Sequence, residues 1–216
     1  MDDLLLLVIL GGAGWYAYTN WTALADAVGL PVAPNTGDGS AGGDGGDQTA
    51  ASDAALVGSV VGAAFGGTMT ALDSGTVANM ATTMLDRMGI TDISPAMVAA
   101  IVLNESGGDP SAVRKEPAIN DASYGLMQTL LGTATWLYGL GYTAQGVPTA
   151  TSLLDPNTSL YFGIAYLHWL RNYGGTVQPD SFVVPAYNGG PGNPTGPGPQ
   201  AYYARYQDNL AAVENA

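Results

Sequence analysis

Ile101-Val102-Leu103-Asn104-Glu105-Ser106-Gly107-Gly108 carries an apolar run onto a single acid and then breaks. After a polar excursion the chain returns with Ser123-Tyr124-Gly125-Leu126-Met127-Gln128. Upstream, Ser94-Pro95 is a helix start: the hydroxyl can cap, and a proline in the first turn loses no hydrogen bond. Met97, Ile101 and Val102 then fall on one face of a 3.6-residue period, and Gly107 with Gly108 ends the helix. This puts Glu105 in or just beyond the last turn, where the macrodipole disfavours a carboxylate. If the carboxyl is also partly buried, both effects raise its pKa toward neutrality, as a general acid requires. An exposed loop glutamate is the plain alternative, and the motifs that surround Glu105 decide against it.

Charge limits the partners. The formal net charge is -13 with 5 Lys+Arg, which excludes nucleic acid, since phosphate binding needs clustered cations. It also leaves no basic patch for anionic lipid headgroups. Cysteine is absent, so there is no disulfide framework, thiol nucleophile or thiolate metal site. Neither cofactor nor metal is expected. The one histidine, His168, lies in an apolar helical pattern with no acid at ligand spacing and reads as structural.

Residues 1–30 form the first unit. Leu4 to Ala25 contains no charged residue, close to the ~20 residues that cross a bilayer. Trp15, Tyr16, Tyr18 and Trp21 cluster on one flank like an interfacial belt. We read residues 4–25 as a membrane anchor. A cleaved secretory signal is the rival, on the strength of Ala23-Leu24-Ala25, but the leading Asp2 and Asp3 oppose it. Residues 31–53 are acidic, Gly-rich and poor in apolar side chains, the composition of a flexible tether. In residues 54–72, Gly58, Gly62 and Gly66 recur at every fourth position. They line one helical face, suited to self-association as a second membrane helix or to packing as a soluble one.

A globular domain is expected over residues 73–216. Val77, Met80, Met84 and Met88 share a face of a helix stopping at Gly89, and the methionines read as core filler. Helices are further expected over 133–140, from Asp155-Pro156-Asn157 to Gly174, around 182–186 and over 200–213, with a Pro/Gly loop at 192–199. Strand signals are confined to a small sheet near 111–128. The fold class is mainly α, in an α+β arrangement.

Over about residues 99–206 the sequence resembles the lytic transglycosylases of the soluble-lytic type, in the lysozyme-like superfamily that includes goose-type lysozymes. The motifs that carry the resemblance stand in family order. They are Glu105-Ser106, then Ser123 to Gln128 with Thr133-Ala134, then Leu154-Asp155-Pro156-Asn157 with Gly163, Tyr166 and Leu167, then Ala186-Tyr187-Asn188-Gly189-Gly190-Pro191-Gly192-Asn193, with Tyr202 as a late aromatic. The longer interval between Glu105 and Gly125 suggests an inserted loop around 114–120. Gly189 stands where Ala is usual, and Thr129-Leu130-Leu131-Gly132 replaces a familiar apolar-apolar-Met-Pro ending.

The resemblance implies a lysozyme-like fold and cleavage of the MurNAc-GlcNAc β-1,4 bond of peptidoglycan glycan strands to a 1,6-anhydro product, with Glu105 as acid and then base. An ordinary glycosidase uses two carboxyls. Asp109, Glu116 and Asp121 lie near in sequence, but none holds a motif position, and Leu130 stands where goose-type lysozymes often place an acid. Asp121 is the reserve candidate for orienting a water should the enzyme hydrolyse. Tyr187 can hold Glu105 through its hydroxyl, Asn188 and Gln128 can grip sugar amides and hydroxyls, and Ser106 can fix the helix end or the carboxylate. Ser123 and Tyr202 complete the expected substrate-binding set. Gly125 and Gly189 have a steric reading, close approach of a glycan, while Leu126 and Met127 read as core. The expectation is a tethered enzyme facing the cell wall or periplasm, or a virion membrane or vertex, acting in phage entry. The alternatives are a pore-forming or structural membrane protein with a passenger glycosidase, a decayed glycan-binding module, and a hydrolytic goose-type lysozyme.

Overall fold

The structure, a computed structural model, describes residues 70–216. The anchor at 4–25, the tether at 31–53 and the stripe of Gly58, Gly62 and Gly66 lie outside the described residues. Among the described residues no helix is long and apolar enough to cross a membrane.

The domain is mainly helical, built around α2 (Pro95–Glu105). Ser94 caps it by accepting the Met97 N–H at 3.1 Å, and Pro95 opens its first turn. Every residue from Met97 to Val102 is buried, so α2 is a helix apolar all round and belongs at the centre. α1 (Ser74–Met88), capped by Asp73 and stopped at Gly89, packs against it with Val77, Ala81, Met84 and Leu85 turned inward. The last helix, α6 (Pro197–Glu214), packs against it from another side with Tyr202 and Tyr206, one turn apart. Between them come α3 (Leu131–Gly139), α4 (Pro156–Arg171) and α5 (Asp180–Gly189). Asp155 caps α4 by accepting the Thr158 N–H at 2.9 Å. Its Leu160, Ile164 and Leu167 are fully buried.

The expected small sheet is present. Strands β1 (Val113–Glu116), β2 (Asp121–Tyr124) and β3 (Thr129–Leu130) pair antiparallel in that order. Arg114 lies opposite Ser123, and Ser123 opposite Leu130. A 3-10 turn at Pro117–Ile119 and Asn120, in the left-handed region at φ 50°, close the hairpin. The stretch read as an inserted loop, 114–120, is therefore most of a β-hairpin arm.

Two helices differ from the sequence expectation in extent. α5 runs to Gly189, so Tyr187 and Asn188 stand on its last turn instead of a following loop. α6 begins at Pro197 inside the expected Pro/Gly loop, because proline in a first turn has no intrahelical N–H to lose. His168 is structural, with a partner remote in sequence: its Nδ1 lies 2.8 Å from Asp92 Oδ1, which joins α4 to the α1–α2 connection.

Candidate active site

Glu105 is the last residue of α2, and Ser106 is its C-cap. The carboxyl is half-buried. The Tyr202 hydroxyl, 97 residues away on α6, donates to Glu105 Oε1 at 2.8 Å. Burial is the main influence on the acid and pushes its pKa up to about 7. The Tyr202 bond and the cations Arg114 and Arg205 pull it down, and Glu116 pushes it up. Tyr202 is itself 2% exposed. Burial, then the charge of Glu105, holds its phenol well above the ordinary range, so it remains a neutral donor. The Arg205 guanidinium carbon lies 5.8 Å from the centre of the Tyr202 ring.

α6 is fixed beside Glu105 by a residue that sequence reading passed over. Asn104 Nδ2 donates to the Tyr202 carbonyl at 3.1 Å, and Asn104 Oδ1 accepts from Asn209 Nδ2 at 2.7 Å. The available signal was an amide beside the acid at the end of an otherwise apolar helix. Its partners on α6 gave no sign in sequence of facing it.

Several assigned roles change. Tyr187 does not hold Glu105: its hydroxyl donates to the Met127 carbonyl at 2.8 Å, and Tyr202 makes the bond in its place. Tyr187 stays near the acid, since burial first and then the Glu105 charge raise its pKa. Gln128 does not present its amide N–H groups to a ligand, because Nε2 donates to the Ala112 carbonyl at 2.9 Å and the Gly125 carbonyl at 3.0 Å. Its backbone is left-handed at φ 46°, so Gln128 locks the turn between β2 and β3. Only Oε1 is left to accept from a sugar.

The close approach at Gly125 and Gly189 is made by the protein's own chain. A Cβ on Gly125, at φ +70°, would stand 2.1 Å from the Leu153 carbonyl oxygen and 2.9 Å from Ser159 Oγ. One on Gly189 would meet Pro199 Cγ at 2.3 Å. Ser159 also accepts the Met127 N–H at 3.0 Å, so the Gly125 to Gln128 turn is laid onto the start of α4. Leu126 and Met127 are fully buried, as expected of core.

Ser106 serves the helix end: its hydroxyl donates to the Leu126 carbonyl at 2.9 Å, which ties the acid to the turn. Ser123, expected to bind substrate, is only 2% exposed within the sheet. Asn188 is exposed, and its side-chain amide has no hydrogen-bond partner among the described residues. Asp121 has both oxygens engaged, by the N–H of Ala122 at 2.7 Å and of Gly132 at 3.0 Å. It caps α3 from the sheet. Asp109 accepts the Ser111 N–H and hydroxyl on Oδ1, and Glu116 pairs with Arg114 at 2.7 Å.

The chain is similar to the 70 kDa soluble lytic transglycosylase of Escherichia coli, at 26% identity and a TM-score of 0.43 over 61% of this chain and 22% of that one. It is similar also to the 70-kDa soluble lytic transglycosylase in a complex with bulgecin A, at 23% identity and a TM-score of 0.41, covering 60% of this chain. It spans 22% and 20% of the lengths of these two chains. Residues 82–207 match the family described as the Transglycosylase SLT domain, a span that takes in Glu105, the Gly125 to Gln128 turn, Tyr187 and Tyr202, and the chain belongs to that family.

Proposed function

We propose that the protein is a peptidoglycan lytic transglycosylase, with Glu105 as its acid and then its base. One observation carries this reading: a carboxyl at the C-terminal end of a buried helix, with a pKa near 7 and one oxygen held by a phenol. Such a group is protonated in a useful fraction at neutral pH and can give up its proton without moving. Oε1 is held by Tyr202, so Oε2 is the oxygen that carries the proton. It protonates the bridging oxygen as the bond from C1 breaks, and the substrate's N-acetyl group supports the cation. The carboxylate then takes the proton of the C6 hydroxyl as O6 bonds to C1, and no water is consumed. Asp109 and Asp121 are engaged elsewhere, which supports a single-carboxylate route.

Hydrolysis of the goose-type lysozyme kind is the alternative reading. Product masses from purified peptidoglycan separate the two. Anhydro products, lighter by one water and lost in Glu105→Gln, support the proposal. Reducing-end products lost in Glu105→Gln would establish hydrolysis.

We propose further that residues 4–25 anchor the enzyme and that residues 31–53 let it reach the wall, with Gly58, Gly62 and Gly66 available for self-association. The support is the uncharged run, its aromatic flank and the glycine period. The acidic leading residues and the second glycine-patterned segment favour a virion component used in phage entry. Retention of the full chain in membranes after alkaline extraction, and its release when 4–25 is deleted, would support the anchor. Release of the intact chain would remove it.

A further inference from the structure

The turn that follows Glu105 is held by a residue from outside the helical bundle. Gly108 is buried, three residues beyond the acid. Its carbonyl accepts the Leu72 N–H at 2.9 Å, just before α1 begins. The contact is also steric: a Cβ on Gly108, at φ +86°, would stand 2.1 Å from the Leu72 carbonyl oxygen and 3.2 Å from its nitrogen. The Leu72 side chain packs on the hydrophobic core. The same turn is closed by the Asp109 N–H on the Ser106 carbonyl at 3.1 Å, and Ser106 is tied to Leu126. Leu72 lies ten residues before the stretch that matches the family, which begins at residue 82.

We propose that Leu72 is a positioning residue for Glu105: its backbone straps the Ser106 to Asp109 turn and so fixes the end of the helix that carries the acid. Whatever displaces Leu72 loosens the turn that follows the acid. This inference rests on Glu105 being the acid.

The test is a cycle in the full chain of Leu72→Pro, which deletes the donor, Gly108→Ala, which drives a methyl against Leu72, and the double variant. Leu72→Ala keeps the N–H and serves as the conservative control. Each is read by kcat and KM on peptidoglycan and by direct NMR titration of the Glu105 carboxyl. The groups that face that carboxyl, Tyr202 and Arg205 from α6, Arg114 and Glu116 from β1 and Tyr187 from α5, are unchanged throughout.

The strap predicts about a tenfold loss of kcat in Leu72→Pro with KM within about twofold. It also predicts a Glu105 titration that moves down as the loosened carboxyl gains water, a double variant no worse than the poorer single one, and recovery in Leu72→Ala. Unchanged titration and kcat in Leu72→Pro, or losses that multiply in the double variant, would overturn it. A wild-type protein that turns over no peptidoglycan would sink the proposed function, yet the titration would still decide whether Leu72 positions Glu105.

Discussion

Glu105 and the Gly125 to Gln128 turn look alike in sequence, each a short motif of polar and small residues inside apolar surroundings, and the fold uses them in opposite ways. At Glu105 a remote phenol and two cations converge on a charge that burial disfavours. At the turn the polar groups point back into the chain: Gln128 onto two carbonyls, Met127 N–H onto Ser159, Gly125 against Leu153. One segment gathers donors and cations around a carboxyl, and the other spends its polar groups on its own backbone. A motif residue is thus assigned by where its donors and acceptors go.

The comparison breaks first at Glu105. Glu105→Gln should lower turnover by about 10³-fold with the fold retained. The same variant should be more stable than the wild type at high pH. A carboxyl whose pKa rises from 4.5 to about 7 on folding contributes stability that is fully present below 4.5 and lost as pH climbs through 7. The amide carries no such liability, so thermal melts of the two should separate above pH 7 by on the order of 2–3 kcal/mol and converge below pH 5. Coincident melts at pH 8 would mean that the carboxyl is not held out of water.

The opposite signature is expected at the turn. Gly125→Ala places a methyl on the Leu153 carbonyl at a left-handed backbone position and should cost about 3 kcal/mol of stability. Denaturant melts should show that loss, while kcat of the fraction still folded falls far less than in Glu105→Gln.

Tyr202→Phe sharpens the chemical side. The hydroxyl binds the carboxylate formed on proton transfer more strongly than the acid, so its loss should lower kcat by roughly tenfold. Because the bond holds the Glu105 pKa down, the alkaline limb of the kcat/KM profile should move to higher pH. A limb that stays in place would shift the tuning to Arg114 and Arg205.

The smallest effect belongs to Gln128→Ala. The carbonyls it serves keep other partners, the Gly125 N–H on Ala112 at 2.8 Å and the Gln128 N–H on Gly125 at 3.2 Å. About 1–2 kcal/mol of stability and a modest rise in KM are expected. A collapse of kcat with unchanged melting would return Gln128 to the chemistry.

Helices α1, α2, α4 and α6 were legible in the sequence because caps, prolines and periodic apolar residues are local signals. The sheet was legible in place, although not in its register. The position of Glu105 was legible for the same reason, since a helix end and a glycine break lie within a few residues of it, but it took the surrounding motifs to read it as the acid. The partner of the acid was not legible. Tyr187 and Tyr202 are both tyrosines near apolar helical stretches, and nothing within reach of either says which phenol meets the carboxyl.

What the sequence determined by itself is whatever depends on the backbone within a turn or two: the helix ends, the position of the acid at a negative dipole end, the family motifs and the shortage of cations. The tertiary structure decided that Tyr202 and not Tyr187 holds Glu105, that Gln128 and Asp121 serve backbone N–H and carbonyl groups, and that Leu72 straps the turn after Glu105. Each of those includes a contact between residues from 11 to 97 positions apart. The long-range ones arise when α1, α6 and the sheet close around α2, a packing driven by non-directional apolar burial that leaves no mark beside the polar groups it brings together.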